Sequence, residues 1–164
     1  MLRRLHPGRQ TGGLSPLELI QWHLLANRYG VVPMTTGSCL CGAVQFDVSA
    51  CSSGIFKCHC SKCRKAFGGA SSAALLASEN DFNWLQGNDQ IREYRMDSGF
   101  RRFFCDNCGS ILPQHLPSHG LYWIPAGLLD GDPGVPLKKH IHVRSKAPWE
   151  VLDEHTARLQ EGFE

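Results

Sequence analysis

The chain has 164 residues, of which 42% are hydrophobic, and its formal net charge is +2. This length and composition suffice for one modest hydrophobic core, so we expect a single domain. A net charge so close to zero does not indicate nucleic-acid binding, and no apolar stretch approaches the roughly 20 residues that cross a bilayer. We therefore expect a cytoplasmic protein whose partners are neither a membrane nor a nucleic acid.

The first predicted element is a helix-like segment over residues 15–28. Leu17, Ile20 and Leu24 recur near the period of about 3.6 residues that is typical of a helix, and Ser15 is suited to cap its N-terminus. The segment precedes a change in the character of the sequence. We therefore interpret it as part of an appended extension that is helical or disordered.

That change in character falls at Met34, where short strand-like runs broken by glycine and proline begin. Runs of β-type residues predict strands at 43–48, 73–77, 91–95, 100–104, 121–126 and 139–143. Helix is predicted only after Cys63 and near residues 78–82, where Ser78 can cap a turn. We expect an N-terminal extension, residues 1–33, followed by a mainly β domain of short antiparallel strands, residues 34–164.

Seven of the eight cysteines fall into three compact motifs. The motifs are Cys39-Leu-Cys41-Gly42, Cys58-His-Cys60-Ser-Lys-Cys63 and Cys105-Asp-Asn-Cys108-Gly109. Cysteines in a reducing compartment stay as thiols, so metal binding is the leading explanation. In a C-x-C pair on an extended strand both side chains leave the same face, and in C-x-x-C a tight turn brings the sulfurs together.

The first and third motifs match in form and together supply four thiolates, the usual ligand set of a structural zinc. Cys39, Cys41, Cys105 and Cys108 come from opposite ends of the predicted domain, so one ion would join those ends. The glycine that follows Cys41 and the glycine that follows Cys108 fit a sharp turn with positive φ. These four cysteines are therefore predicted to bind a structural zinc.

The central motif offers three sulfurs, those of Cys58, Cys60 and Cys63. Three protein ligands and an exchangeable fourth position are typical of a catalytic zinc. The alternative is a second structural site completed by Cys51, although its spacing fits no compact metal motif. His59 lies between two ligands on a strand-like segment, so its ring should point away from the metal. The sequence thus predicts two zinc ions per chain.

Five blocks of sequence, in order, carry a family resemblance. They are Gly37-Ser-Cys-Leu-Cys-Gly-Ala-Val-Gln-Phe46, Cys58-His-Cys-Ser-Lys-Cys-Arg-Lys65, Arg102-Phe-Phe-Cys-Asp-Asn-Cys-Gly-Ser110, Pro125-Ala-Gly-Leu-Leu-Asp130 and His140-Ile-His-Val-Arg-Ser-Lys-Ala-Pro-Trp149. Through these blocks, the chain from Thr36 to Glu150 resembles the glutathione-dependent formaldehyde-activating enzymes, whose domain is shared with centromere protein V.

The resemblance implies an all-β zinc fold of the β-tent type, with a structural zinc on the four outer cysteines and a catalytic zinc on the middle three. It also implies a carbon–sulfur lyase that reversibly joins glutathione and formaldehyde into S-(hydroxymethyl)glutathione. The expected partners are therefore a small-molecule thiol, glutathione, and an aldehyde.

A zinc ion on Cys58, Cys60 and Cys63 could activate such a thiol, because free thiols titrate near ~8.5 whereas a coordinated thiol is deprotonated. Glutathione carries two carboxylates, so cations are expected near the metal. Arg64 and Lys65, which follow Cys63, are the candidates for binding them. The alternative is that both side chains belong to a solvated helical turn.

Two other functions compete with this interpretation. The first is a non-enzymatic zinc module that binds a protein or a nucleic acid, for which a local cluster of arginines gives some support: Arg92, Arg95, Arg101 and Arg102. The second is an enzyme of the same fold that acts on a different thiol adduct. The cysteine motifs predict the metal chemistry and leave the substrate open.

Overall fold

A computed structural model of the protein describes residues 35–163. This part of the chain is mainly β, as predicted, with twelve short strands and a single α-helix among the described residues. The helix-like segment at 15–28 lies outside the described residues, and the boundary between an extension and a domain stays a prediction. Within residues 35–163, no helix has the length and apolar character needed to cross a membrane.

The twelve strands are short. They are β1 (Thr35–Ser38), β2 (Gln45–Val48), β3 (Ile55–Cys58), β4 (Ser72–Ser78), β5 (Phe82–Gln86), β6 (Ile91–Arg95), β7 (Arg101–Cys105), β8 (Ile111–Leu112), β9 (Gln114–Leu116), β10 (Leu121–Pro125), β11 (Leu137–Ile141) and β12 (Ala157–Arg158). The helix, α1 (Ser61–Phe67), lies between β3 and β4.

The strands form three sheets, of which the largest has the order β12-β11-β3-β4-β10-β9. The two smaller sheets have the orders β1-β2-β5 and β6-β7-β8, and all their pairs are antiparallel. In the large sheet, β11 runs parallel to both β3 and β12, whereas the other pairs are antiparallel. The predicted antiparallel arrangement is therefore confirmed except around β11.

Alternation of side chains along the strands builds the main hydrophobic core. Phe46 and Val48 are the buried positions of β2, and they pack with Leu75 and Ala77 of β4 and with Ile124 of β10. The core thus lies between the sheet that contains β2 and the large sheet. Since strand side chains alternate between faces, the intervening residues of β2 are less buried.

The six predicted strands correspond to β2, β4, β6, β7, β10 and β11. No end of these strands differs from its predicted position by more than two residues. The strands that the sequence analysis missed are β1, β3, β5, β8, β9 and β12. Most of these have two to four residues, which is too short for a period of two to stand out. Their pairing is decided by neighbouring strands.

The helix α1 begins at Ser61, three residues before the predicted start at Arg64. Cys60 is its N-cap, since the Cys60 sulfur accepts the backbone N–H of Cys63. Gly68 ends the helix with a φ of 65°, and its N–H donates to the Arg64 carbonyl. The predicted turn near residues 78–82 is confirmed as a 3₁₀ helix, Glu79–Asp81, capped by Ser78.

Candidate metal centres and adjoining cavities

Two turns that are distant in sequence bring four sulfurs together, which we call the four-sulfur cluster: Cys39, Cys41, Cys105 and Cys108. All four sulfurs lie within 4.8 Å of one another. The Sγ–Sγ distance is 3.5 Å for Cys39 and Cys41 and 3.9 Å for Cys41 and Cys105. Four thiolates placed tetrahedrally at about 2.3 Å from a zinc ion are about 3.8 Å apart. The spacing therefore fits a tetrahedral zinc.

The two turns of the four-sulfur cluster have the same backbone design. Gly42 and Gly109 both have a φ of 75°, as their positions after Cys41 and Cys108 predicted. The Gly42 N–H donates to the Cys39 carbonyl at 2.9 Å, and the Gly109 N–H donates to the Cys105 carbonyl at 2.8 Å. Each turn is thereby closed around its pair of sulfurs.

The surroundings of this cluster give its thiols different pKa values. The Ser110 hydroxyl, 3.3 Å from the sulfur, lowers the pKa of Cys108 to about 6. Burial raises the pKa of Cys105, which is fully buried, to about 11. Metal ligation deprotonates cysteine, so a bound cation would favour the thiolate form of all four.

A second group, the three-sulfur cluster, contains the sulfurs of Cys58, Cys60 and Cys63 within 4.8 Å of one another. Cys58 is the buried last residue of β3, Cys60 caps α1, and Cys63 lies in the first turn of that helix. Among the described residues, no other Cys, His, Asp or Glu joins this group. It therefore offers three donors that could hold a metal and leave a coordination position open.

The expectation that C-x-C pairs lie on extended strands is wrong for the first motif, because Cys39 and Cys41 lie in the turn after β1. It agrees with the structure for the second motif. Cys58 ends β3, the His59 N–H continues the pairing with β11, and Cys60 keeps an extended backbone with φ −62° and ψ 153°.

Hydrogen bonds within the three-sulfur cluster favour one thiolate. The thiols of Cys58 and Cys63 donate to Cys60 and lower its pKa to about 2, and backbone N–H groups at the start of α1 add to the effect. The pKa of Cys58 is raised because its proton is held between the neighbouring sulfurs. As in the other cluster, a bound cation would favour ionisation of all the sulfurs.

Cys51 does not lie in either cluster. It packs against the main core beside β2 and β4, and burial raises the pKa of its thiol. The alternative in which Cys51 completes a second four-cysteine site therefore has no support in the geometry, and the fourth position of the three-sulfur cluster carries no protein sulfur from the described residues.

A buried pair of histidines lies directly behind the three-sulfur cluster. The Nε2 of His59 is 2.8 Å from Nδ1 of His140, and Nε2 of His140 is 3.0 Å from a carboxylate oxygen of Asp153. Because the carboxylate accepts from His140, neutral His59 donates to the remaining nitrogen of His140. Burial lowers the pKa of His59, and the hydrogen bond from His140 holds the pKa of Asp153 well below its usual range.

This chain of hydrogen bonds fixes the residue between two of the three sulfurs. The backbone of His59 is also tied, since its N–H donates to the Ile141 carbonyl at 3.0 Å and its carbonyl accepts from Arg64 Nε at 3.3 Å. The His59 ring was predicted to point away from the metal, and it contacts His140 without joining the three sulfurs. His140 was missed as part of the site because its strand carries no metal motif.

Two neighbouring cavities beside α1 lie on the side of the helix that carries Lys62, Cys63 and Ala66. The apolar cavity, about 300 Å³, is bordered by Cys63 and is walled mainly by aromatic and aliphatic side chains, among them Phe67, Phe100, Ile111, Leu116 and Trp123. The cationic groove, about 370 Å³, lies beside it and is lined by Lys62, Lys65, Tyr94, Met96 and Arg102. Ala66, Phe100 and Arg102 line both, so the two spaces are neighbours.

The two cations predicted to bind glutathione lie in different surroundings. Lys65 lines the cationic groove together with Lys62, which sequence reasoning missed. Arg64 lines neither the groove nor the apolar cavity, and its Nε donates to the His59 carbonyl. Lys65 is therefore placed to meet a ligand, whereas Arg64 contacts the backbone of the metal-binding segment.

Two carboxylates pair with three of the four arginines in the predicted cluster. Arg92 pairs with Asp106 at 2.7 Å, and both Arg95 and Arg101 pair with Glu93. Arg102 differs, since its guanidinium donates to the Ala66 carbonyl and its buried Nε has no hydrogen-bond partner among the described residues.

Comparison with known proteins identifies relatives of the chain. A profile of the family described as "Glutathione-dependent formaldehyde-activating enzyme" matches residues 34–145, which include both clusters. A Halomonas elongata protein named "Putative glutathione-dependent formaldehyde-activating enzyme" is 33% identical over 125 residues, covering 71% of this chain and 80% of that protein. A crystal structure of a Rhodobacter sphaeroides protein is 25% identical with a TM-score of 0.50, and the match covers 59% of this chain and 89% of the other.

Proposed function

The chain belongs to the glutathione-dependent formaldehyde-activating enzyme family, and on that basis we propose that it is a zinc-dependent carbon–sulfur lyase. The proposed reaction interconverts glutathione plus formaldehyde and S-(hydroxymethyl)glutathione. The observation that supports it most is the three-sulfur cluster, which could leave a coordination position open and whose Cys63 borders the apolar cavity. We assign Cys58, Cys60 and Cys63 to a catalytic zinc, and the four-sulfur cluster to a structural zinc.

A zinc ion on the three sulfurs would supply thiol deprotonation and would hold the sulfur near the carbonyl carbon. The residues around it provide rigidity. The Cys63 N–H donates to the Cys60 sulfur at 3.4 Å, and His59 is held between the two neighbouring ligands by His140. These contacts keep the three sulfurs converged, so little reorganisation is needed when a thiol binds.

The cationic groove suits the charged part of glutathione. Lys62, Lys65 and Arg102 line it, and two carboxylates at neutral pH call for such partners. The buried Nε of Arg102 has no hydrogen-bond partner within residues 35–163. Of the two cations that sequence predicts for this role, we retain Lys65, and we assign Arg64 to holding the His59 backbone.

The reaction balances without a redox partner. The thiolate sulfur forms a bond to the carbonyl carbon, the π electrons of the carbonyl move to its oxygen, and the thiol proton ends on that oxygen. The reverse direction returns the proton and breaks the C–S bond.

Because free thiolate clusters persist in a reducing compartment, we also propose a cytoplasmic location.

The test is exchange spectroscopy with protein that contains two zinc ions per chain. We expect exchange between free and hydroxymethylated glutathione to exceed the rates in matched buffer and free-zinc controls. Lys65→Ala should raise the KM for glutathione several-fold with a smaller change in kcat, since it removes a binding contact. If the zinc-loaded wild type gives no exchange above both controls, the glutathione–formaldehyde assignment is wrong.

A further inference from the structure

The apolar cavity is much larger than formaldehyde requires. Formaldehyde has one carbon and one oxygen and is close in size to a water molecule, whose share of liquid volume is about 30 Å³. The cavity measures about 300 Å³. A site that handled formaldehyde alone would leave most of this space without a ligand.

The walls of the cavity indicate what would fill it. Phe67 and Trp123 meet edge to face, with ring centroids 5.6 Å apart, and Phe100, Ile111 and Leu116 complete much of the apolar surface. Gln114 and two arginines are the polar contributors among the described residues. Pockets with apolar walls and a few polar groups bind ligands with a substantial hydrocarbon part.

The position of the cavity separates it from the proposed site of glutathione. Cys63 borders the apolar cavity, whereas Lys62 and Lys65 line the cationic groove on the other side of Arg102. Glutathione is a charged peptide, so the groove suits it and the cavity does not. A thiol adduct with its sulfur near Cys63 can therefore place its peptide part in the groove and its carbonyl-derived part in the cavity.

We propose that the apolar cavity binds the carbon chain of aldehydes larger than formaldehyde, so that the substrates of this site include glutathione adducts of apolar aliphatic and aromatic aldehydes. The inference rests on the proposed function and extends it. The chemistry is the same addition: the C–S bond forms at the carbonyl carbon, and the thiol proton ends on the hydroxyl oxygen.

The first test measures binding without turnover. Isothermal titration calorimetry would compare S-methyl-, S-butyl- and S-hexylglutathione, which cannot release an aldehyde. Each added methylene that enters an apolar cavity should lower Kd about fourfold until the cavity is full. We expect a gain of at least tenfold, on the order of the effect of two methylenes, from S-methyl to S-hexyl.

Substitutions at Leu116 test whether this cavity causes the gain, because this side chain lines the cavity and not the groove. Leu116→Phe should abolish most of the chain-length dependence by filling the space, and Leu116→Ala should move the optimum to longer chains. Leu85→Phe is the matched control, since Leu85 is 52% exposed and borders neither space. Zinc content and thermal unfolding would confirm that each variant is folded.

The second test measures exchange of glutathione with formaldehyde, butanal and phenylacetaldehyde. The ratio of kcat/KM for the larger aldehydes to that for formaldehyde should fall at least about tenfold in Leu116→Phe. Chain-length-dependent binding with no exchange for any aldehyde would reject the proposed reaction but support the cavity assignment. Kd values that are flat along the S-alkyl series, or no binding at all, would overturn the inference even if formaldehyde exchange is catalysed.

Discussion

The two cysteine clusters use the same ligand chemistry but join very different lengths of chain. The four-sulfur cluster connects turns whose sulfurs, those of Cys41 and Cys105, are 64 residues apart. The three-sulfur cluster lies between Cys58 and Cys63 at one junction of strand and helix. Cys39 and Cys105 are buried with Val44 and Leu112 in a core of their own, whereas Cys63 borders the apolar cavity.

This difference indicates how one small domain can combine a structural and an open metal site. An ion that closes a long loop removes many conformations from the unfolded chain, and its binding energy becomes folding energy. An ion held within one turn closes almost no loop. Its site can therefore remain open to ligands without making the fold depend on it, provided that neighbours such as His59 and His140 hold the segment.

The largest effect is expected for Cys105→Ser. This change removes a fully buried ligand from the long-range cluster, so we expect a loss of at least about 4 kcal/mol in the free energy of unfolding and a largely unfolded domain. Zinc content and thermal unfolding followed by circular dichroism would measure it. Cys51→Ser, outside both clusters, is the control and should cost no more than about 2 kcal/mol with both ions retained. A stable Cys105→Ser protein that keeps two zinc ions would contradict the structural role of the four-sulfur cluster.

The next effect concerns activity rather than folding. Cys60→Ser removes one sulfur of the three-sulfur cluster, but serine is a good N-cap and should preserve α1. Because zinc binding depends on the thiolate ligands, we expect a folded protein with about one zinc ion per chain. Exchange should proceed at the uncatalysed rate. Retention of two ions with undiminished exchange would show that the proposed catalytic ligands are wrong.

An intermediate effect is expected for His140→Ala. The change leaves the buried Nε2 of His59 without its partner and creates a cavity behind the three-sulfur cluster, so stability should fall by about 2–4 kcal/mol. Zinc should be lost first from the three-sulfur cluster, as chelator titrations of the cobalt form can measure. His115→Ala is the control: its pair with Glu79 is exposed, and it should cost about 1 kcal/mol or less. Equal metal loss from both clusters would contradict the local role of the pair.

The smallest effect is expected when residues 1–33 are removed. Every clustered cysteine follows Met34, so a chain that begins at Met34 should keep both zinc ions and its exchange activity. Zinc analysis and thermal unfolding of the shortened and full chains would test this. Aggregation or zinc loss in the shortened chain would instead assign Leu17, Ile20 and Leu24 to covering an apolar surface.

Much of the metal chemistry could be predicted from sequence because its signals are local. Cysteine spacing separated the four-ligand and three-ligand groups, and the glycines after Cys41 and Cys108 predicted positive φ, which the structure confirms. Alternation located the longer strands, such as β4 and β10. Local spacing was misleading for Cys39 and Cys41, since a sharp turn and an extended strand can both bring sulfurs at this separation together.

The surroundings of the open site were decided by tertiary structure. Phe67, Leu116 and Trp123 come from a helix and two strands, and no spacing in the sequence relates them. The contact between His59 and His140 depends on β11 lying parallel to β3, a pairing between segments about 80 residues apart. Ligand type and spacing are properties of short segments, so the sequence determined where metal can bind. Cavity size and support for the ligands arise only when distant segments pack. The tertiary structure therefore decided which side chains and which cavity surround the three sulfurs.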